Sequence, residues 1–405
     1  AGFGWEYGPF ENWDILGAKA TVKAMEEVGE KPADWVYEML AAGHTSFYKV
    51  ENGKKHYYDI PSKSYKPIPG LESFLLLDTL KAANKKIWGN EGATLYDLGD
   101  EVIGLEFHTK MNSLGQEVVE GINTAITMAE KSYKGLVIGN EGGNFSAGAN
   151  LAMLYMYAGD QDFDEINLMI AQFQDTMLRA RFSSVPVVVA PHNMALGGGC
   201  ELSLHADAVQ AHAELYMGLV EVGVGLIPAG GGTKEMTMRF SKNIEPGDVE
   251  LNRLQETFMN IATAKVSTSA AEAYNMCYLE QKDAITINRK RQLAEAKEKV
   301  IALYDAGYTQ PIERKDIKVL GKSSLALFET GISGMRYGAY ISEHDAKIAQ
   351  KLAWIMSGGD LSSPTEVSER YLLDLEREAF LSLTGEKKTL ERIHSILFKG
   401  KPLRN

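Results

Sequence analysis

The run Val185-Pro186-Val187-Val188-Val189-Ala190 constrains this chain more than any other segment. Nearly continuous β-branched residues without polar alternation mark a strand buried on both faces. Such strands belong to parallel sheets covered by helices. The surrounding pattern agrees. Residues 93–98, 101–107 and 135–139 are short apolar runs that read as strands, and the amphipathic stretches 116–131 and 164–181 read as helices. Strands alternating with helices predict an α/β core over about residues 87–285.

The flanks read differently. Over 1–60, Trp13, Leu16, Ala20 and Met25 recur at near-helical spacing, and Lys31-Pro32-Ala33-Asp34-Trp35 opens a second short helix that Gly43 ends. Pro61, Pro67, Pro69 and Gly70 mark a linker. Beyond about residue 245 strand signals vanish, and 287–306, 341–356 and 363–384 read as helices. The expected division is a helical piece at 1–70, an α/β domain at 71–286 and a helical region at 287–405. The opening Ala1-Gly2-Phe3-Gly4-Trp5 is neither a Met start nor a signal peptide and reads as the interior of a domain.

Composition narrows the function. The chain has 405 residues, 45% hydrophobic and 24% charged, which suits a chain that buries a real core. The net charge of −12 argues against nucleic acid or an anionic membrane surface as partner. Two cysteines, Cys200 and Cys277, fit a reducing compartment, and a cytoplasmic location is expected. No apolar run approaches the ~20 residues of a membrane span. The eight histidines form no metal-ligand spacing with the cysteines, so no metal site is expected.

Three glycine-rich segments carry the chemistry. Asn144-Phe145-Ser146-Ala147-Gly148-Ala149-Asn150 follows a strand and precedes an apolar stretch, a turn whose free N–H groups can bind a polarised carbonyl. Ala195-Leu196-Gly197-Gly198-Gly199-Cys200-Glu201-Leu202 follows the buried strand and puts unpaired N–H groups at a helix N-terminus, where the dipole suits an oxyanion. Glu201 falls in that helix's first turn, a position where a glutamate also simply complements the dipole. Glu221 is flanked by apolar and glycine residues, which reads either as a desolvated carboxyl with a raised pKa, suited to acid–base work, or as a solvent-facing loop residue. Pro228-Ala229-Gly230-Gly231-Gly232-Thr233 then opens a helix. It is no phosphate loop, because Lys234 comes after Thr233. Two N–H donors and two carboxylates in one apolar pocket suit enolate-forming chemistry on a thioester.

With these motifs in this order, residues 90–280 resemble the crotonase (enoyl-CoA hydratase/isomerase) superfamily. The resemblance implies a ββα spiral core. It implies backbone N–H groups of Ala149 and Gly198 as the oxyanion hole and Glu201 and Glu221 as the hydratase pair. It also implies an acyl-CoA thioester substrate, a homo-oligomer, and no cofactor for hydration itself. Relatives that isomerise usually keep fewer of the pair, so two glutamates favour hydration of a trans-2-enoyl-CoA over Δ3,Δ2-isomerisation. Asn150 departs from the aspartate many members have. Met153-Leu154-Tyr155-Met156-Tyr157 reads either as acyl-pocket lining or as plain core. Separately, the segment Gly2 to Gly17, with its Gly8-Pro9-Phe10-Glu11 element, resembles the helical C-terminal domain of 3-hydroxyacyl-CoA dehydrogenases. That implies a multifunctional protein whose NAD-binding domain is not in this chain.

Overall fold

A computed structural model describes residues 7–51, 54–71 and 74–405. Residues 1–6, at the start of the dehydrogenase-like segment, lie outside the described residues. The chain forms two compact units, 1–85 and 86–405.

The smaller unit opens with α1 (Pro9–Leu16), α2 (Ala18–Glu27) and α3 (Asp34–Ala41). Pro9 sits in the first turn of α1, where its missing N–H costs nothing. The helix that Trp13, Leu16, Ala20 and Met25 suggest is broken at Gly17. The all-helical expectation for 1–70 is wrong. β1 (Tyr48–Glu51), β2 (Lys54–Asp59) and β3 (Ser64–Pro67) form an antiparallel sheet, followed by α4 (Leu77–Ala82). The expected linker is the β2–β3 turn plus β3, an edge strand that tolerates Pro67. Lysines interleaved with tyrosines hid the strand period, since only aromatic residues signal strand there. Ala18, Val22, Val36, Met39, Phe47 and Tyr58 form this unit's core. The Asp14 carboxylate ties α1 to β1 by accepting the N–H groups of Phe47 (2.7 Å) and Tyr48 (2.9 Å).

The larger unit begins with β4 (Lys86–Gly89), β5 (Ala93–Gly99), β6 (Val102–Phe107), α5 (Gln116–Ser132), β7 (Gly135–Ile138), α6 (Leu151–Gly159) and α7 (Phe163–Arg181). Next come β8 (Val187–Val189), β9 (Asn193–Leu196), α8 (Gly198–Leu204), β10 (Ala208–His212), β11 (Leu215–Gly218) and α9 (Gly232–Lys242). The remainder is α10 (Glu250–Ala262), α11 (Ala270–Asn275), β12 (Ala284–Thr286), α12 (Gln292–Asp305), β13 (Ile317–Val319), α13 (Lys322–Tyr337), α14 (Glu343–Met356), β14 (Thr365–Val367), α15 (Glu369–Thr384) and α16 (Lys387–Lys399). The main sheet runs β4-β5-β6-β7-β8-β10-β12. It is antiparallel over β4–β6 and parallel from β6 onward. β8, the β-branched run, lies inside it with every residue buried.

β9 and β11 pair in a second, parallel ladder, extended by single bridges from Ser146 to Ala195 and from Leu114 to Ala149. The chain therefore repeats one path three times: a main-sheet strand, a rung on the second ladder, a helix. β7–Ser146–α6, β8–β9–α8 and β10–β11–α9 are its three turns. Each glycine-rich segment occupies or follows a rung, where the chain leaves the ladder for a helix.

Strands persist beyond residue 245, against expectation. β12 closes the sheet edge, and β13 pairs with β14. Each has three residues, too few to show a period. The helix expected from Ile287 starts only at Gln292, after a 3-10 turn at Arg289–Arg291.

Candidate active site

Ala149 and Gly198 come together although 49 positions apart. Gly148 makes this possible. Its φ is +102°, and a Cβ there would sit 3.0 Å from the Leu196 carbonyl oxygen and 3.5 Å from the Gly198 nitrogen. Only glycine lets the two turns approach so closely. The flanking N–H groups are spoken for: Gly148 donates to Ser146 Oγ (3.1 Å), Asn150 to the Leu114 carbonyl (3.3 Å) and Gly197 to the Gly218 carbonyl (2.9 Å). Among the described residues, the Ala149 and Gly198 N–H groups have no acceptor in the protein. Gly198 is the first residue of α8, where a helix leaves its N–H groups open.

Glu201, one turn into α8, is 3% exposed. Its Oε1 accepts two backbone N–H groups, from Gly230 (2.8 Å) and Gly232 (2.9 Å). Burial pushes its carboxyl up to about 7, against the pull of those two donors. Glu221 opens the 3-10 turn Glu221–Val224 after β11. The residue is half-buried, but its Oε2 is fully buried and has no hydrogen-bond partner. Burial first, and the Glu201 charge second, push the Glu221 carboxyl well above the usual carboxylate range. Gly197 makes room for it: a Cβ there would lie 3.1 Å from Glu221 Oε1.

One cavity of about 260 Å³ is lined by Ala149, Gly198, Glu201 and Glu221 together. Its remaining wall is mostly apolar, including Leu114, Phe173, Ile227 and Phe380. Of the stretch 153–157, Met153, Leu154 and Tyr157 line the cavity. Met156 is exposed, and Tyr155 packs on His394 and Phe398 of α16. Asn150 caps α6, its Oδ1 accepting the Ala152 N–H (3.1 Å). Asparagine caps as well as aspartate does, so the departure at this position is structurally neutral. His205 lies behind the cavity, with Nδ1 2.7 Å from the Glu201 carbonyl oxygen and Nε2 3.0 Å from Lys234 Nζ.

The C-terminal helices hold the turn that carries Glu221 and the turn that donates to Glu201, contacts that the sequence does not reveal. On α16, Thr389 Oγ1 donates to the Gly225 carbonyl (2.9 Å) and Arg392 to the Val222 carbonyl (3.2 Å), pinning the Glu221 turn. On α15, Glu376 accepts from Gly231 and Lys234, beside the donors to Glu201. One signal was available. Glu376 occupies the apolar stripe Leu372, Leu373, Ala379, Phe380, Leu383, where helical spacing predicts a hydrophobic residue.

An enoyl-CoA hydratase/isomerase family profile matches residues 100–244. A probable 3-hydroxyacyl-CoA dehydrogenase of Bacillus subtilis (strain 168) is 46% identical over 404 residues, which is 100% of this chain and 50% of that protein. A putative fatty acid oxidation complex trifunctional enzyme of Rickettsia felis is 31% identical, covering 98% of this chain and 48% of that protein. The chain thus spans about half the length of these curated relatives. An enoyl-CoA hydratase of Bacillus halodurans superposes with a TM-score of 0.50 at 16% identity, over 75% of this chain and 100% of that one. The spiral of strand, rung and helix is that of the crotonase fold. Residues 100–244 thus match the enoyl-CoA hydratase/isomerase family, in a fold shared with a solved enoyl-CoA hydratase.

Proposed function

We propose that this chain adds water reversibly to a trans-2-enoyl-CoA, giving a 3-hydroxyacyl-CoA. The observation that carries the reading is that two carboxylates and two N–H groups without acceptors line one apolar cavity. The thioester oxygen sits between the Ala149 and Gly198 N–H groups, which stabilise the enolate as charge develops on it. Each such donor is worth about 100- to 1000-fold in rate.

The two carboxyls divide the work according to their surroundings. Glu221, whose environment keeps its proton, delivers that proton to the α-carbon. Glu201, with two N–H groups stabilising its charge, takes a proton from the attacking water as the oxygen bonds to the β-carbon. Glu201 Oε1 is committed to Gly230 and Gly232, so Oε2 is the oxygen that meets water. The product carries one added water, and the glutamates exchange protons with solvent to restore the starting state.

The relatives named for dehydrogenation and fatty acid oxidation extend the proposal to the whole protein. A 3-hydroxyacyl thioester made here is the substrate class that a 3-hydroxyacyl-CoA dehydrogenase oxidises, with NAD handled outside this chain. The test is hydration of crotonyl-CoA by the purified chain, run beside a 3-enoyl-CoA. Turnover of the 3-enoyl substrate alone would replace hydration with isomerisation, and turnover of neither would sink both.

A further inference from the structure

Glu376 of α15 is fully buried, and the reaction proposed above does not use it. Its Oε2 accepts the Gly231 N–H (2.9 Å) and its Oε1 accepts the Lys234 N–H (2.5 Å). Glu201 accepts the N–H groups of Gly230 and Gly232. Along the five residues 230–234 the backbone therefore donates to the two carboxylates in turn. The turn lies between them, held from both sides.

Gly231 is the N-cap of α9 and has no side chain to cap it. Caps normally come from a Ser, Thr, Asp or Asn at that position. Here Glu376, more than 140 positions further along the chain, supplies the missing acceptor to the third residue of the helix. Gln174 of α7 adds a second tie. Its Nε2 donates both to the Ala229 carbonyl (2.9 Å), one residue before the turn, and to the Leu373 carbonyl of α15 (3.0 Å). The seat of Glu201 is thus built largely on α15.

We propose that Glu376 is a positioning residue for Glu201, holding the turn Gly230–Lys234 so that two N–H groups converge on Glu201 Oε1. The inference rests on the hydratase reading. Among the described residues, the charged groups that bear on Glu376 are Glu201 of α8 and Lys234 of α9. Lys234 Nζ is itself engaged by Glu235 (2.5 Å), Glu369 (3.0 Å) and His205 (3.0 Å). From α7, the neutral Gln174 meets the neighbouring Ala229 and Leu373 carbonyls, and Arg181 pairs with Glu235 and Glu369.

The role makes a directional claim. The Gly230 and Gly232 donors hold the Glu201 carboxyl lower than burial alone would. If Glu376 aims them, loosening it removes part of that stabilisation, and Glu201 titrates at higher pH. In the full chain, Glu376→Gln is expected to lower kcat on crotonyl-CoA by up to about 100-fold with KM held, the scale for a catalytic group misplaced by about an ångström. The acid limb of kcat/KM should move to higher pH. An unmoved limb with parent kcat overturns the proposal, as does a kcat loss matched by a KM rise with the limb unmoved. Should Glu376→Gln not fold, Glu376→Asp carries the same test, with the acid kept and the arm one methylene shorter. Glu201→Gln in the same assay separates the two ideas. If it hydrates at the parent rate the hydratase reading falls. If it is inactive and the Glu376 variants are parent-like, only the positioning role falls.

Discussion

Glu201 and Glu221 line one cavity and share a side chain, yet they sit in opposite kinds of seat. Glu201 rides in the first turn of a helix, and one of its oxygens accepts two backbone N–H groups. Glu221 rides on a 3-10 turn and leaves a buried oxygen with no partner. Both are desolvated, so both carboxyls are pushed up. Backbone donors pull both down, Gly230 and Gly232 for Glu201 and the Val220–Glu221 backbone for Glu221. The Glu201 charge adds to burial at Glu221, so Glu201 stops at about 7 while Glu221 goes well above the usual range. Environments that push two titratable groups apart assign acid and base between them. Under the proposed reaction, the difference between the seats assigns the acid and the base, which two glutamates in a sequence do not.

The sharpest way to break the comparison is to remove each carboxylate without disturbing its seat. Glu201→Gln suits this, because the amide oxygen can occupy the Oε1 position and keep both N–H bonds. Each of Glu201→Gln and Glu221→Gln is expected to lose about 1000-fold in hydration rate, and the double variant little more, since the two act as a unit. Multiplying losses in steady-state kinetics would mean the carboxylates work separately.

Displacing the oxyanion donors comes next. Gly148→Ala forces a side chain into a positive-φ turn and against the Leu196 carbonyl, moving the Ala149 N–H. A loss of about 100-fold in kcat is expected, and a parent-like kcat in that variant would remove Ala149 from the proposed hole.

Smaller effects sharpen the contrast through pH. With Glu201 as base, kcat/KM should rise through about pH 7, and Glu201→Asp should move that limb. A limb that persists in Glu201→Gln would have to be assigned elsewhere. Stability gives the least effect, with its sign fixed. Below pH 4.5 the Glu201 carboxyl holds its proton both folded and unfolded. Between 4.5 and about 7 the unfolded chain releases the proton first, so parent stability falls as pH rises. The melting-temperature advantage of Glu201→Gln over the parent should therefore grow across that window and then level off. An advantage that shrinks with pH would contradict the raised carboxyl.

The core was legible because its signals are local. A β-branched run needs no partner to declare itself buried, and β8 lies where it was expected. Glycines at strand-to-helix junctions announce open N–H groups, and the segments around Gly148 and Gly198 do converge on one cavity. The small-unit sheet was missed because its lysines and tyrosines alternate on a weakly apolar surface. β13 and β14 were missed because three residues carry no period. Among the described residues, no helix is long and apolar enough to cross a membrane.

The alternation of buried strands and helices, and the residue types available to the site, are readable from the chain alone, since burial and backbone freedom are properties of short segments. How the site is held emerges from long-range packing. The donors to Glu201 lie about 30 positions away, and those to Glu376 more than 140. Which carboxyl keeps its proton depends on where those N–H groups point, and that is settled by packing between segments the sequence does not place side by side.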